Sequence, residues 1–254
     1  MELRNIGIST DEYRERRERV LESLEGAVAV VYGGNEVSFG TLQGRWKTDR
    51  LFYYLTGIDY ESGAAIVFDP PAEDPDRRIT LFLRPRDPEV ERWDGAREPL
   101  DSALKAKTGF NSILRTSYLP SRLTDAARRS KRLACLHPFS VYNAEVSPDF
   151  AVFKKICERV PGVAIEDRTQ VLPAMRAVKS SSELALIEQA VVATTAGYEA
   201  ALRFIRPGVT ECAIEQTLTM GFREHGGEPA FEPIVGSGLN GTVLHYIDND
   251  QVVQ

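Results

Sequence analysis

The chain has 254 residues, 43% hydrophobic and 27% charged, which suits one large or two small folded domains and excludes disorder over most of its length. Its 31 basic and 37 acidic residues leave a net charge of −6, so general attraction to nucleic-acid phosphates is excluded as a basis of function. Three widely spaced cysteines, Cys135, Cys157 and Cys212, make no disulfide framework and suit a reducing compartment.

Met1 to Gly7 shows no apolar leader pattern. The longest tidy apolar run, Ala27 to Tyr32, is far too short to cross a bilayer. The expectation is a soluble, cytoplasmic protein with neither membrane nor nucleic acid as partner. Ser9 to Glu12 fits a capping box, and a charged helix should follow to about Leu24. Tyr13, Val20, Leu21 and Leu24 form its thin apolar stripe, Glu12/Arg16 and Glu15/Arg19 are pairs one turn apart, and the rest reads as a solvated face.

Ala27–Tyr32, closed by Gly33-Gly34, reads as a buried strand, and Ala64–Phe68 as another. The proline-rich stretch Asp69–Asp76 can only be a surface loop. Ile79–Leu83 resumes the sheet, so 64–83 is expected to be a long-looped hairpin. Strands near 112–115, 132–136 and 163–165 then alternate with helices near 123–130 and 149–159, which argues an α/β domain around a central sheet.

The pattern then changes. Ser180-Ser181-Ser182-Glu183 is a second capping box. Leu184, Ile187, Val191, Thr195, Tyr198, Leu202 and Ile205 follow as one face of a long helix. Arg206-Pro207-Gly208 ends it, and Thr210 caps a second helix carrying Ile214, Leu218 and Phe222 as far as Gly226-Gly227. Ile234-Val235 and Val243–Ile247 read as strands. The expected division is 1–174 and 175–254.

Several motifs fail on context. Gly236-Ser237-Gly238-Leu239-Asn240-Gly241 satisfies G-x-G-x-x-G, but a β-prone stretch follows where a dinucleotide site needs a helix, so a turn joining strands is expected. Ser102–Lys105 and Lys107-Thr108-Gly109 match two acyl-serine motifs that belong far apart in sequence. Cys135 and His137 share a strand face without further ligands, which is no zinc site. His225 sits at a helix C-terminus, where its charge complements the dipole. His245, just past the glycine-rich turn, can project into a cleft.

The block Phe231-Glu232-Pro233-Ile234-Val235-Gly236-Ser237-Gly238-Leu239-Asn240-Gly241-Thr242-Val243-Leu244-His245-Tyr246 resembles the aminopeptidase P/prolidase group of pita-bread metallopeptidases. Met175–Ser180 with Glu183 resembles the opening of the same catalytic domain. Phe52–Gly57, Leu83–Asp87 and Trp93-Asp94-Gly95 resemble the N-terminal domain of Xaa-Pro aminopeptidases. The resemblance implies an α/β N-terminal domain of creatinase/prolidase type over 1–174. It implies the first part of an α+β pita-bread domain, incomplete, over 175–254.

For function, the resemblance implies removal of an N-terminal residue that precedes proline. Such a bond is a tertiary amide without the N–H that ordinary peptidases bind. It also implies two divalent ions, manganese by the hardness of their oxygen ligands, activating a hydroxide. Their five ligands follow the His-Tyr pair in that family. Asp248 and Asp250 lie too close to His245 to be among them, so no metal ligand is expected in this chain, and the chain alone is expected to be inactive. What carries over is His245, as a catalytic and substrate-contacting residue, and Trp93, as a substrate-side residue reaching a neighbouring subunit. The implied partners are peptides with proline at the second position and further copies of the chain, joined through the N-terminal domain. Two alternatives are a non-catalytic homologue that binds a peptide or protein, and a prolidase- or creatinase-like hydrolase.

Overall fold

A computed structural model describes residues 7–34 and 47–254. Met1 to Ile6, for which the sequence predicts no leader, lie outside the described residues. The chain divides into two compact units, Met1–Val178 and Lys179–Gln254.

The first unit opens with α1 (Thr10–Ser23), capped by Ser9, whose hydroxyl accepts from the Glu12 amide at 3.1 Å. Next come β1 (Ala29–Tyr32), α2 (Arg50–Thr56), β2 (Ala65–Phe68) and β3 (Ile79–Leu83). Then follow α3 (Pro88–Asp94), α4 (Ser102–Thr108), β4 (Ser112–Arg115), α5 (Leu119–Ser130) and β5 (Arg132–Cys135). The unit closes with α6 (Pro148–Cys157), β6 (Ala164–Asp167) and α7 (Val171–Ala177). β1, β2 and β3 pair antiparallel, with Tyr32 opposite Ala65 and Ala65 opposite Phe82, so the expected hairpin is present. β4 joins β3 in parallel, and β5 pairs in parallel with β6. A parallel bridge between Val28 and Leu133 ties β1 to β5. It is made by the Val28 amide on Arg132 O at 2.9 Å and the Ala134 amide on Val28 O at 2.8 Å.

Successive strand residues point to opposite faces. Val31, Ile66, Phe68, Leu81 and Leu83 enter a core shared with Val20 and Leu24 of α1 and with Phe52 and Leu55 of α2. Val30, Val67 and Phe82 enter a second core with Leu123 and Ala127 of α5 and with Phe153 and Ile156 of α6. Both faces are therefore covered by helices, which is why these strands are continuous apolar runs rather than alternating ones.

α1 corrects one expectation. Its presumed solvated face contains Arg16 and Arg17, both buried. Arg16 pairs with Glu12, as expected, and also donates to Tyr54 O at 3.0 Å. Arg17 donates to Leu55 O at 2.9 Å and Gly109 O at 2.8 Å, with its guanidinium 3.9 Å from the centre of the Phe110 ring. The two arginines satisfy carbonyls at the C-terminal ends of α2 and α4, which have no partner within their own helices.

The second unit contains α8 (Ser181–Phe204) and α9 (Glu211–Glu224). The Ser180/Glu183 capping box is formed in both directions, and Thr210 caps α9 through the Ala213 amide. Ala201, Ile214 and Leu218 make the buried core, with Phe204, Phe222, Val235 and Val253 packed on it. The face of α8 that meets α9 consists of small residues, Ala193, Gly197 and Ala201. The predicted apolar face, Leu184 through Ile205, points the other way and is exposed throughout, Leu202 by 70%.

The two strands expected at 234–235 and 243–247 are not formed. Gly238–Thr242 is a 3-10 turn, and Val243–Ile247 has no partner strand among the described residues. β-prone residues become a strand only when a ladder satisfies their backbone groups. The backbone pairing near here is the bridge of Thr210 to Val252, supported by the Val253 amide on Val209 O at 2.8 Å.

Candidate active-site segment

His245 stands exposed on the turn that follows Gly238–Thr242. The glycine-rich turn before it is compact. A methyl group on Gly236 would come within 2.8 Å of Asn240 O, so only glycine fits there. The residues around His245 are held from below by α9. Glu211, the first residue of that helix, is wholly buried. Its Oε1 accepts from the Ser237 amide at 2.6 Å and the Ser237 hydroxyl at 2.8 Å. Its Oε2 accepts from the Tyr246 hydroxyl at 2.7 Å and the Gln251 amide at 3.0 Å.

Burial alone would raise the Glu211 pKa. The donors from Tyr246, Ser237 and Gln251 outweigh it and hold the carboxyl at about 2. Tyr246 moves the opposite way, to about 12, through desolvation and its donation to Glu211. Asn249 supplies a second clamp. It is buried, its backbone has φ 45°, and its Oδ1 accepts from the Val235 amide at 3.0 Å. Its Nδ2 donates to Pro233 O at 2.9 Å and Glu215 Oε2 at 3.1 Å.

Trp93 lies in the other unit, on α3, and is 88% exposed. His225 is the C-cap of α9, its Nδ1 3.0 Å from Gly221 O, a local backbone contact. His137 is buried with Nδ1 3.2 Å from Asp149 Oδ2, and Asp149 also accepts the Leu136 and His137 amides at 2.8 and 2.9 Å. Burial pushes the Cys135 thiol up to about 12, with Asp149 and Asp167 adding to it, so it is protonated and unreactive near neutrality. A pocket of about 320 Å³ on the loop leading into α6 is lined by Phe139, Val141, Tyr142, Ser147 and Phe150 among others, and contains neither His245 nor Trp93.

Two family models match in tandem: "Aminopeptidase P, N-terminal domain" over residues 13–134 and "Metallopeptidase family M24" over residues 185–254. The chain is thus similar to aminopeptidase P along most of its length. An α/β N-terminal domain of that type is followed by part of a pita-bread metallopeptidase domain. The Xaa-Pro aminopeptidase of Haemophilus influenzae is 27% identical over 95% of this chain and 54% of its own length. That of Escherichia coli is 27% identical over 96% of this chain and 56% of its own. A solved structure of Escherichia coli aminopeptidase P, in a low-pH form, superposes with a TM-score of 0.83 at 26% identity. The match covers 97% of this chain and 57% of that one. The chain thus spans about half the length of the aminopeptidase P relatives it matches.

Metallopeptidases of this family depend on bound metal, and the described residues do not assemble such a centre. Among the described residues no three His, Cys, Asp or Glu side chains are grouped to hold an ion. Two carboxylates around this segment are already engaged: Glu211 as above, and Asp250, whose Oδ1 accepts from Gln251 Nε2 at 2.7 Å and lies 3.0 Å from the Tyr246 hydroxyl oxygen. No helix among the described residues is long and apolar enough to cross a membrane.

Glu211 and Asn249 escape sequence reasoning. An acidic residue after the Thr210 cap reads only as a complement to the helix dipole. Nothing local shows that its acceptors serve residues far along the chain. The turn-like Asp248-Asn249-Asp250 is visible in the sequence, but the burial of its middle side chain is not.

Proposed function

We propose that this chain forms the N-terminal domain and the opening of the catalytic domain of an Xaa-Pro aminopeptidase, which hydrolyses the bond between an N-terminal residue and a following proline. The observation that carries the proposal is the tandem match in the order N-terminal domain, then metallopeptidase domain. In this reading His245 donates from its ring N–H to the substrate near the scissile bond, and Trp93 approaches the substrate of a neighbouring subunit. When bound, two divalent ions, manganese on this proposal, supply the activated hydroxide. Their ligands would come from a second half like that of the relatives, and no step through them is assigned to residues of this chain. The protein would act in the cytoplasm as a homo-oligomer assembled through its N-terminal domain.

The test uses the complete protein, loaded with manganese and offered a peptide with proline at position two and its alanine counterpart. Release of the first residue from the proline peptide alone is expected. Cleavage of Xaa-Pro dipeptides only would make it a prolidase. Peptide binding without cleavage would make it a non-catalytic homologue.

A further inference from the structure

We infer that Glu211 is a positioning residue that fixes His245 by clamping the chain on both sides of it. The inference rests on the proposed role of His245. Ser237 lies just before the 3-10 turn, Tyr246 directly follows His245, and Gln251 lies beyond; all three donate to the one buried carboxylate. Within the 254-residue chain Leu239, Val243, Leu244 and Ile247 are all exposed, so between Val235 and Val253, which pack on the core, the segment is tied down chiefly by its hydrogen bonds to Glu211 and Asn249. Four donors converge on two oxygens, and an ionised carboxylate accepts from all four. A carboxamide in the same place would turn its NH₂ toward the backbone amide of Ser237 or of Gln251, which cannot accept. The position at the first turn of α9 favours the negative charge further.

The test is Glu211→Gln, read first by NMR on the 254-residue chain. Amide exchange at Ser237 and Gln251 should speed up by about 10- to 100-fold, as for loss of hydrogen bonds to a charged group. The His245 ring signals should broaden or multiply while the α9 interior stays protected. Unchanged exchange and a single sharp His245 signal would overturn the inference. If Glu211→Gln unfolds α9, Tyr246→Phe decides. It removes one donor and leaves the carboxylate, and should loosen Gln251 and His245 with both helices intact; no loosening would overturn the inference.

The second readout is a double-mutant cycle in the complete protein. Glu211→Gln should lower kcat with little change in KM, and should add almost nothing in a His245→Ala background. Additive losses would mean that Glu211 acts merely on stability. Absence of Xaa-Pro cleavage in the unsubstituted protein would defeat the proposed function, while the NMR result would still decide the clamp.

Discussion

Gly197 of α8 and Gly221 of α9 meet backbone to backbone: a methyl group on Gly221 would lie 2.6 Å from the Gly197 α-carbon. One on Gly197 would lie 2.4 Å from the Phe222 ring. Neither helix can give way without parting the other residues of the seam. Gly221→Ala is therefore expected to destabilise the second unit by about 1–3 kcal/mol, the usual cost of overpacking. Alanine otherwise favours helix, so a propensity argument alone predicts the opposite sign. Urea unfolding followed through a probe on α9 separates the two; a variant at least as stable as the parent would show that the helices can separate at little cost.

Glu211 makes the second unit sensitive to acid in a defined window. Its folded pKa, about 2, lies below its ordinary value of 4.5. The stabilisation is therefore complete above about 4.5 and is lost as pH falls from there toward 2. Exchange protection at Ser237 and Gln251, corrected for intrinsic rates, should be flat from pH 7 to pH 5 and fall below that. In Glu211→Gln the profile should lose this step. Parallel profiles for the two proteins would assign the acid sensitivity elsewhere.

In the complete enzyme, His245→Ala should lower kcat by about 10²–10³, as for loss of a hydrogen-bond donor aimed at developing charge. Metal content and fold should be unchanged, because on the proposed function His245 contacts the substrate and the ligands come from the second half, and because His245 is exposed on a turn here. Activity within a few-fold of the parent would reduce it to a surface histidine. Loss of metal together with activity would make it a ligand.

The exposed face of α8 predicts how the 254-residue chain behaves alone. Leu184, Ile187, Val191, Tyr198 and Leu202 form an apolar surface larger than scattered exposed residues would make. The chain should bind a hydrophobic dye and associate as concentration rises. Replacing Ile187, Val191 and Leu202 by glutamine should abolish both without loosening α8 from α9, whose seam uses Ala193, Gly197 and Ala201. A parent chain that is monomeric and dye-silent at high concentration would show that this face is covered.

The strands of the first unit are legible in the sequence because runs such as Ala27–Tyr32 are buried on both faces, and burial on both faces is what an unbroken apolar run means. The arginines of α1 are not, since a charged side chain looks solvated until the carbonyls that receive it are known, and Leu55 and Gly109 lie far from Arg17 in sequence. Helical periodicity at α8 locates the apolar face correctly, but which face meets α9 depends on the close approach of two glycines. In the candidate site, His245 and Tyr246 are legible through family resemblance. Glu211 and Asn249 are not, because their work is done through partners at other places in the chain.

The bridge from Val28 to Leu133, beside the ladder that pairs Ala29 with Phe68, has a consequence in time. The apolar stretch around β1 is synthesised well before its partner in β5, which lies more than a hundred residues on. At about 5–20 residues per second, Ala27–Tyr32 waits roughly 5–20 s between its own emergence and that of Leu133. During that interval one edge of β1 has no strand beside it, and closing so long a loop is slow in its own right. A nascent chain stalled before α5 should therefore present this stretch to chaperones, and one released after β6 should not.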